Sequence, residues 1–258
     1  MSIGIFDSGI GGLTVFRSVL SHFPNTSIYY LGDTARVPYG NKSKETVLRY
    51  SFECASFLID NFNIECLIVA CNTASALSID FLKSKFSIPI IGVVKPGAKT
   101  AAGITKNKKV GVIGTYGTIN SKAYVDSIKN IDSSITVFQN PSPLLVPLVE
   151  EGRIDHNITK LALIEYIDPL VAKGIDTLIL GCTHYPVLKD QIKKLYPSLS
   201  LVDSSDAIIF EIKSMCSLND KSGEKLIFTT DESEAFNYLK EILVGNINIK
   251  KISLTELT

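Results

Sequence analysis

Cys71 and Cys182 are the residues of this chain whose type and placing point most directly to chemistry. Each ends a short apolar run, Leu67-Ile68-Val69-Ala70 and Leu178-Ile179-Leu180-Gly181, and each is followed by polar residues, Asn72-Thr73 and Thr183-His184. Such a run reads as a buried parallel strand that delivers its thiol to the carboxyl edge of a sheet, where open α/β sheets bind ligands. A free thiol has a pKa of roughly 8.5, so about 3% is thiolate at pH 7, and reaching half thiolate takes about 2 kcal/mol. A helix that begins just after the cysteine, together with a nearby cation, can supply that much. Two thiols facing each other across a cleft suit one task above others: one removes a proton from carbon while the other delivers a proton to the opposite face. That is racemisation or epimerisation. A single-cysteine hydrolase would leave the second cysteine turn unexplained, and a metal centre would need more ligands than two cysteines and His184 offer. Cys54, Cys66 and Cys216 lie in apolar or helical stretches and read as small buried hydrophobes.

The neighbours of these thiols can be assigned provisional tasks. Asp7 closes the apolar run from Ile3 to Phe6, and a carboxylate there is costly unless it is paired or serves a site. It is expected to receive a substrate ammonium or to orient a cysteine. The loop Asp7-Ser8-Gly9-Ile10-Gly11-Gly12 opens a helix, so its amides suit an anion. It is not a P-loop, because Ile10 stands where lysine is required, nor a dinucleotide fingerprint, because Thr14 stands where glycine is required. His184, two residues from Cys182, is expected to tune that thiol or pass its proton, whereas His22 and His156 read as surface residues. Tyr39 and Gly40 end the turn-rich stretch Gly32-Asp33-Thr34-Ala35-Arg36-Val37-Pro38-Tyr39-Gly40, which falls beside the first strand ends. Glu150 and Glu151 close an apolar stretch and, on pattern alone, read as a solvated helix end.

The elements that must position these groups alternate between strand and helix. Strands are expected at Ser2–Phe6, Ser27–Leu31, Cys66–Ala70, Ile88–Val94, Lys109–Ile113, Thr136–Phe138, Thr177–Leu180 and Leu199–Val202. Helices are expected at Leu13–Ser21, Lys44–Asn61, Ala74–Lys85, Lys122–Lys129, Asn157–Lys173 and Val187–Leu195. Near-continuous apolar strands alternating with helices indicate an α/β, doubly wound fold with parallel sheets covered on both faces.

The chain also repeats itself. Ile3-Gly4-Ile5-Phe6 is echoed by Val110-Gly111-Val112-Ile113, and the two cysteine turns echo each other, with Gly4 and Gly111 107 residues apart and the cysteines 111 apart. Two pseudo-symmetric lobes of about 100 residues each, with the active site in the cleft between them, explain both. The first lobe is expected to comprise residues 1–95 plus 207–258, and the second 96–206. The C-terminal part has helical patterning at Ala207–Cys216 and Glu232–Leu243, a polar break at Ser217–Glu224, and is expected to pack on the first lobe.

Composition removes several classes of function. Of 258 residues, 26 are Lys or Arg and 26 are Asp or Glu, so no net charge favours nucleic acid or an anionic membrane. With 45% hydrophobic and 20% charged residues, the usage is that of a folded globular protein. No window approaches the ~18 apolar residues of a membrane helix, Asp7 interrupts any signal-peptide pattern, and five scattered cysteines suit a reducing cytoplasm.

Six ordered segments carry a family resemblance: GIFDSGIGGLTV (Gly4–Val15), YLGDTARVPYG (Tyr30–Gly40), ACNTASA (Ala70–Ala76), GVVKPGA (Gly92–Ala98), LVPLVEEG (Leu145–Gly152) and GCTHYP (Gly181–Pro186). Across most of its length the chain resembles the cofactor-independent glutamate racemases of the aspartate/glutamate racemase family. The resemblance implies interconversion of L- and D-glutamate with no cofactor, neither pyridoxal phosphate nor metal, and supply of D-glutamate to peptidoglycan and hence to cell-wall biogenesis and cell shape. It implies that Cys71 and Cys182 are the acid/base thiols, assisted by Asp7 and His184, with Glu150 supporting His184. It implies substrate contacts from Asp7, Ser8, Tyr39, Gly40, Asn72, Thr73, Thr183 and His184, with Thr115 and Thr118 as further carboxylate contacts. It also implies a homodimer. One departure is visible: Ser142 stands where the family commonly has cysteine, so no chemistry is assigned there. Two alternatives stay open: a racemase of aspartate or another amino acid, and a two-lobed amino-acid binding protein without catalysis.

Overall fold

The computed structural model describes residues 2–215, 223–232, 234–245 and 247–257. In chain order the elements are β1 (Ser2–Asp7), α1 (Leu13–His22), β2 (Ser27–Gly32), α2 (Lys44–Phe62), β3 (Cys66–Val69), α3 (Asn72–Lys85), β4 (Ile90–Gly92) and α4 (Val94–Ile104). There follow β5 (Lys109–Gly114), α5 (Tyr116–Asn120), α6 (Ala123–Ile131), β6 (Thr136–Pro141), α7 (Leu145–Glu150), α8 (Asn157–Val171), β7 (Thr177–Gly181), α9 (Lys189–Leu195) and β8 (Ser200–Asp203). The chain closes with α10 (Ser204–Met215), β9 (Lys225–Thr229), α11 (Glu234–Val244) and β10 (Ile249–Lys251).

The strands form two sheets, and every pairing in them is parallel. The first has the order β10-β9-β2-β1-β3-β4 and the second β6-β5-β7-β8. The block β2-β1-β3-β4 matches β6-β5-β7-β8 strand for strand, so the sequence echo is an echo of topology. In both blocks the chain leaves the first strand on one side and later returns on the other. The resulting switch points lie between β1 and β3 and between β5 and β7, where ligands of open α/β sheets bind. Asp7 and Cys71 stand at the first switch point, Thr115 and Cys182 at the second.

The inner strands β1, β3, β5 and β7 are buried on both faces, which is why their interiors are apolar. In β1, Ile3 and Ile5 join one buried cluster and Phe6 another; in β3, Cys66 and Ile68 join the first while Leu67 and Val69 join the second. In β7, Leu178 and Leu180 join the cluster that contains Ile3 and Ile5, whereas Ile179 packs in a third cluster with Val110 and Val112. One apolar cluster therefore runs through both lobes. Each fully buried Ile or Leu in it contributes about 1.5–3 kcal/mol, enough to hold two strand ends in fixed register.

Several elements depart from the sequence expectation. The strand expected at Ile88–Val94 is shorter, and α4 follows at once, although Pro96 and Gly97 read as helix breakers. Pro96 sits in the first turn of α4, where a backbone N–H has no partner within the helix, so its missing donor costs little. Pro147 occupies the same position in α7. The C-terminal segment does more than pack on the first sheet: β9 pairs with β2, and β10 with β9. Cys216 and most of the break at Ser217–Glu224 lie outside the described residues. Among the described residues, no helix is long and apolar enough to cross a membrane.

Candidate active site

Cys71 is the N-cap of α3, and its sulfur accepts a hydrogen bond from the Ala74 amide at 3.5 Å. The capping geometry follows from the sequence: a buried strand ends, the chain turns, and the small polar pair Asn72-Thr73 starts the helix. Cys182 has a different local setting. A 3-10 turn over Tyr185–Leu188 follows it, and the partner of its sulfur is His184 Nδ1 at 3.6 Å. His184 Nε2 in turn lies 3.0 Å from Glu150 Oε1 at the end of α7. The helix terminus expected beside both thiols thus serves Cys71 alone.

Both cysteines line one cavity. Ser8, Tyr39, Gly40, Asn72 and Thr73 contribute to its wall from the first lobe, and Thr115, Val146, Thr183 and His184 from the second. Of the residues singled out from sequence, Asp7 and Glu150 do not line the cavity but stand behind those that do. Asp7 is fully buried at the end of β1, with Oδ2 accepting from the Gly9 amide at 3.0 Å and Oδ1 from the Thr183 hydroxyl at 3.3 Å. Thr118 also stands behind the wall, its hydroxyl within 3.2 Å of Thr115 Oγ1 and 3.3 Å of Thr73 Oγ1. Ser142 is buried off the cavity, where its carbonyl accepts from Tyr185. His22 and His156 are exposed, and Cys54 and Cys66 are buried.

Two glycines let the lobes meet. A Cβ on Gly40 would stand 2.5 Å from Thr115 Cβ, and one on Gly11 would stand 2.5 Å from Thr183 Oγ1 and 2.7 Å from His184 Nδ1. The Thr73 and Thr115 hydroxyls bridge the same seam at 2.8 Å.

Asn72 is held from the second lobe's side. Its Nδ2 donates to Tyr124 OH at 2.8 Å and to Ser204 Oγ at 3.2 Å, while its buried Oδ1 has no hydrogen-bond partner. A buried acceptor left unpaired is costly, and a ligand donor would remove that cost. Tyr124 and Ser204 escape a sequence reading, because nothing in the patterns around them separates a buried hydroxyl partner from a core residue.

The electrostatics are unequal on the two sides. Burial pushes the Cys71 thiol up to about 12, and the charge of Asp7 adds to this, while the Ser8 hydroxyl and the Ala74 amide pull the other way. Burial and the Asp7 charge therefore outweigh the helix terminus, contrary to the sequence expectation. Burial raises Asp7 as well, against the opposing influence of His184 and of the Gly9 and Gly12 amides. Burial works against protonation of His184, yet its hydrogen bonds to Cys182 and Glu150 prevail and raise it well above the ordinary imidazole value. Among the described residues, no group of three or more His, Cys, Asp or Glu side chains is arranged to hold a metal ion.

The chain as a whole has counterparts among known proteins. Residues 13–211 match the family described as Asp/Glu/hydantoin racemase. The chain is 57% identical over 258 residues to a glutamate racemase of Persephonella marina, covering 100% of this chain and 99% of that one. A solved glutamate racemase isoform from Bacillus anthracis superposes with a TM-score of 0.92 at 38% identity, covering 98% of this chain and 97% of that one. A glutamate racemase from Francisella tularensis, solved in complex with D-glutamate, gives a TM-score of 0.87 at 36% identity, with 98% and 97% covered.

Proposed function

We propose that this chain, which belongs to the Asp/Glu/hydantoin racemase family, interconverts L- and D-glutamate by a two-cysteine acid/base mechanism and supplies D-glutamate for peptidoglycan synthesis. The observation that carries the proposal is the placing of Cys71 and Cys182 at equivalent strand ends of two matching sheets, on the wall of one cavity. The high identity to glutamate racemases over the whole chain supports glutamate over aspartate as the substrate.

In this reading one thiolate takes the α-proton of a glutamate bound between the lobes, and the opposite thiol gives its proton to the other face of the carbon. The direction of reaction sets which thiol acts as base. Charge that develops at the α-carbon passes into the α-carboxylate, where it needs preorganised donors. The amides and hydroxyls of Ser8, Gly40, Thr73 and Thr183 surround that space, and the unpaired Oδ1 of Asn72 suits the substrate ammonium. At pH 7 a thiol with a pKa near 12 is ionised in only about one molecule in 10⁵. The ammonium of a bound substrate brings a positive charge near Cys71, which favours its thiolate, so substrate binding and thiolate formation are coupled. Asp7 assists on that side; on the other, His184, held by Glu150, takes up or returns the Cys182 proton.

The same reading divides the chain into a first lobe of residues 1–95 plus 207–258 and a second of 96–206, a division supported by the membership of β9 and β10 in the first sheet. It also takes the enzyme as a cytoplasmic homodimer that requires no cofactor. Closure of the lobes around glutamate would exclude water, strengthening the polar contacts and keeping stray protons out.

The test is proton NMR of L-glutamate in D2O with reduced, chelator-treated protein and no added cofactor. The expected result is loss of the α-proton signal together with appearance of D-glutamate. Exchange with aspartate but not with glutamate would move the substrate assignment, and tight glutamate binding without exchange would replace catalysis by binding.

A further inference from the structure

Asp33 is a fully buried carboxylate immediately beyond β2, as Asp7 is at the last position of β1. The two are neighbours, the Asp33 amide donating to the Asp7 carbonyl at 3.0 Å. A carboxylate removed from water is retained only where several donors meet it, and the donors of Asp33 come from distinct parts of the chain. Arg36 Nε donates to Oδ2 at 2.7 Å, the Tyr39 hydroxyl donates to the same oxygen, and the Thr230 hydroxyl donates to Oδ1 at 3.2 Å.

These contacts extend both outward and inward. On the outer side Arg36 also pairs with Glu53 of α2 and lies 4.0 Å from the centroid of the Tyr50 ring. Thr230 directly follows β9, and its Oγ1 accepts from the Ala35 amide at 2.9 Å; Thr34 Oγ1 accepts from the Asp231 amide at 2.7 Å. The loop that carries Asp33 is thereby fastened to the segment that follows β9. On the inner side Tyr39 is buried, and it and Gly40 form part of the cavity wall where Gly40 meets Thr115 of the second lobe. If the task at position 39 were packing alone, Phe would spare the need to satisfy a buried hydroxyl.

We infer that Asp33 is a positioning residue for the Tyr39–Gly40 edge of the cleft, and that Thr230, brought in by β9, anchors it from outside. The chain of contacts runs from Thr230 to Asp33, to Tyr39, and through Gly40 to the place where substrate and second lobe meet. The inference rests on the proposed racemase reading for its readout. It deepens that reading by giving the C-terminal segment a part in shaping the substrate site.

Steady-state racemisation of glutamate by the whole protein tests it, with kcat and KM measured separately for wild type, Asp33→Asn, Thr230→Val and Thr230→Ser. Loss of a positioning contact should raise KM with little change in kcat. The expected result is a rise in KM of about tenfold for Asp33→Asn and about threefold for Thr230→Val, with Thr230→Ser close to wild type because it keeps the hydroxyl. A merely structural role would lower thermal stability and leave the KM of the folded fraction unchanged. A folded Asp33→Asn variant with wild-type KM overturns the inference. Should Asp33→Asn fail to fold, the threonine pair decides: wild-type KM in both overturns it, and a rise in Val but not Ser supports it. Absence of turnover in the wild type sinks the racemase reading instead, so the two failures are told apart.

Discussion

His184 Nδ1 lies 3.6 Å from the sulfur of Cys182, and this contact has no equivalent at Cys71, whose sulfur meets the Ala74 amide instead. The two thiols thus occupy matching places in two matching sheets but have unlike chemical surroundings. A mechanism that must serve both enantiomers does not require the two sides to be alike.

The first prediction concerns that imidazole. In the proposed mechanism His184→Asn removes the group that takes up or returns the Cys182 proton, and general acid/base assistance of this kind contributes about 10²–10⁴-fold. kcat/KM for glutamate should fall by about 10²-fold or more. Because the enantiomers are equal in free energy, the fall must be the same in both directions, with any inequality confined to kcat and KM individually. Circular dichroism of the reaction from each enantiomer measures this, and activity within threefold of wild type would remove His184 from the mechanism.

The second concerns stability and pH. The folded protein binds the proton of His184 more tightly than the unfolded chain, since its hydrogen bonds to Cys182 and Glu150 raise its pKa well above the ordinary imidazole value of about 6.5. The contribution is fully present below about 6.5 and is lost as pH rises through the higher folded value. Glu150→Gln removes one of the partners responsible. The difference in Tm between wild type and variant should therefore be largest near pH 6 and shrink on going alkaline. A difference that widens with rising pH would contradict the assignment.

The third concerns the reactivity of Cys71. With its thiol pushed up to about 12 in the free protein, alkylation by iodoacetamide should be slow at pH 7 and should rise about tenfold per pH unit toward pH 10. Peptide-resolved mass spectrometry follows this site alone. A rate already at its plateau near pH 8 would show that the surroundings of Cys71 stabilise the thiolate.

The fourth concerns the seam between the lobes. A methyl group on Gly40 would stand 2.5 Å from Thr115 Cβ, a distance that forces something to move. Gly40→Ala should lower kcat/KM by about tenfold or more, since a displacement of about 1 Å at a site can cost about 10²-fold. If the contact is the cause, adding Gly40→Ala to a Thr115→Gly background should cost much less. Additive losses in the double variant would place the cause elsewhere.

Much of the architecture was legible because burial on both faces makes parallel strands apolar from end to end. The runs at Ile3, Leu67, Val110 and Leu178 carry that mark, and their repetition gave the two-lobed plan, which the matching strand orders bear out. β9 and β10 carry it weakly: Lys225-Leu226-Ile227-Phe228-Thr229 is short and begins with a charge, and β10 is three residues with Lys250 and Lys251 on the edge of the sheet. The helices α4 and α7 were hidden by prolines that first-turn positions tolerate.

At the site, the two cysteines, Asp7 and His184 were legible from type and placing. Glu150 came only from resemblance, since on pattern it is an ordinary helix end, and its pairing with His184 is a matter of tertiary geometry. Asp33 was within reach, because it follows a buried strand as Asp7 does, and the cost of burying a carboxylate applies to both. The sign of the Cys71 shift was not within reach, because a helix terminus and burial oppose each other and only the structure shows which prevails.

The most direct test of the two-thiol mechanism is α-proton exchange of each glutamate enantiomer in D2O, followed by NMR, with Cys71→Ser and Cys182→Ser. In the proposed mechanism each variant retains one thiol, which faces one side of the substrate carbon. The two-thiol mechanism predicts that racemisation falls by about 10³-fold or more in both, while each variant still exchanges the α-proton of one enantiomer, a different one in each case. Near-normal racemisation by either variant, or exchange of the same enantiomer by both, would contradict it.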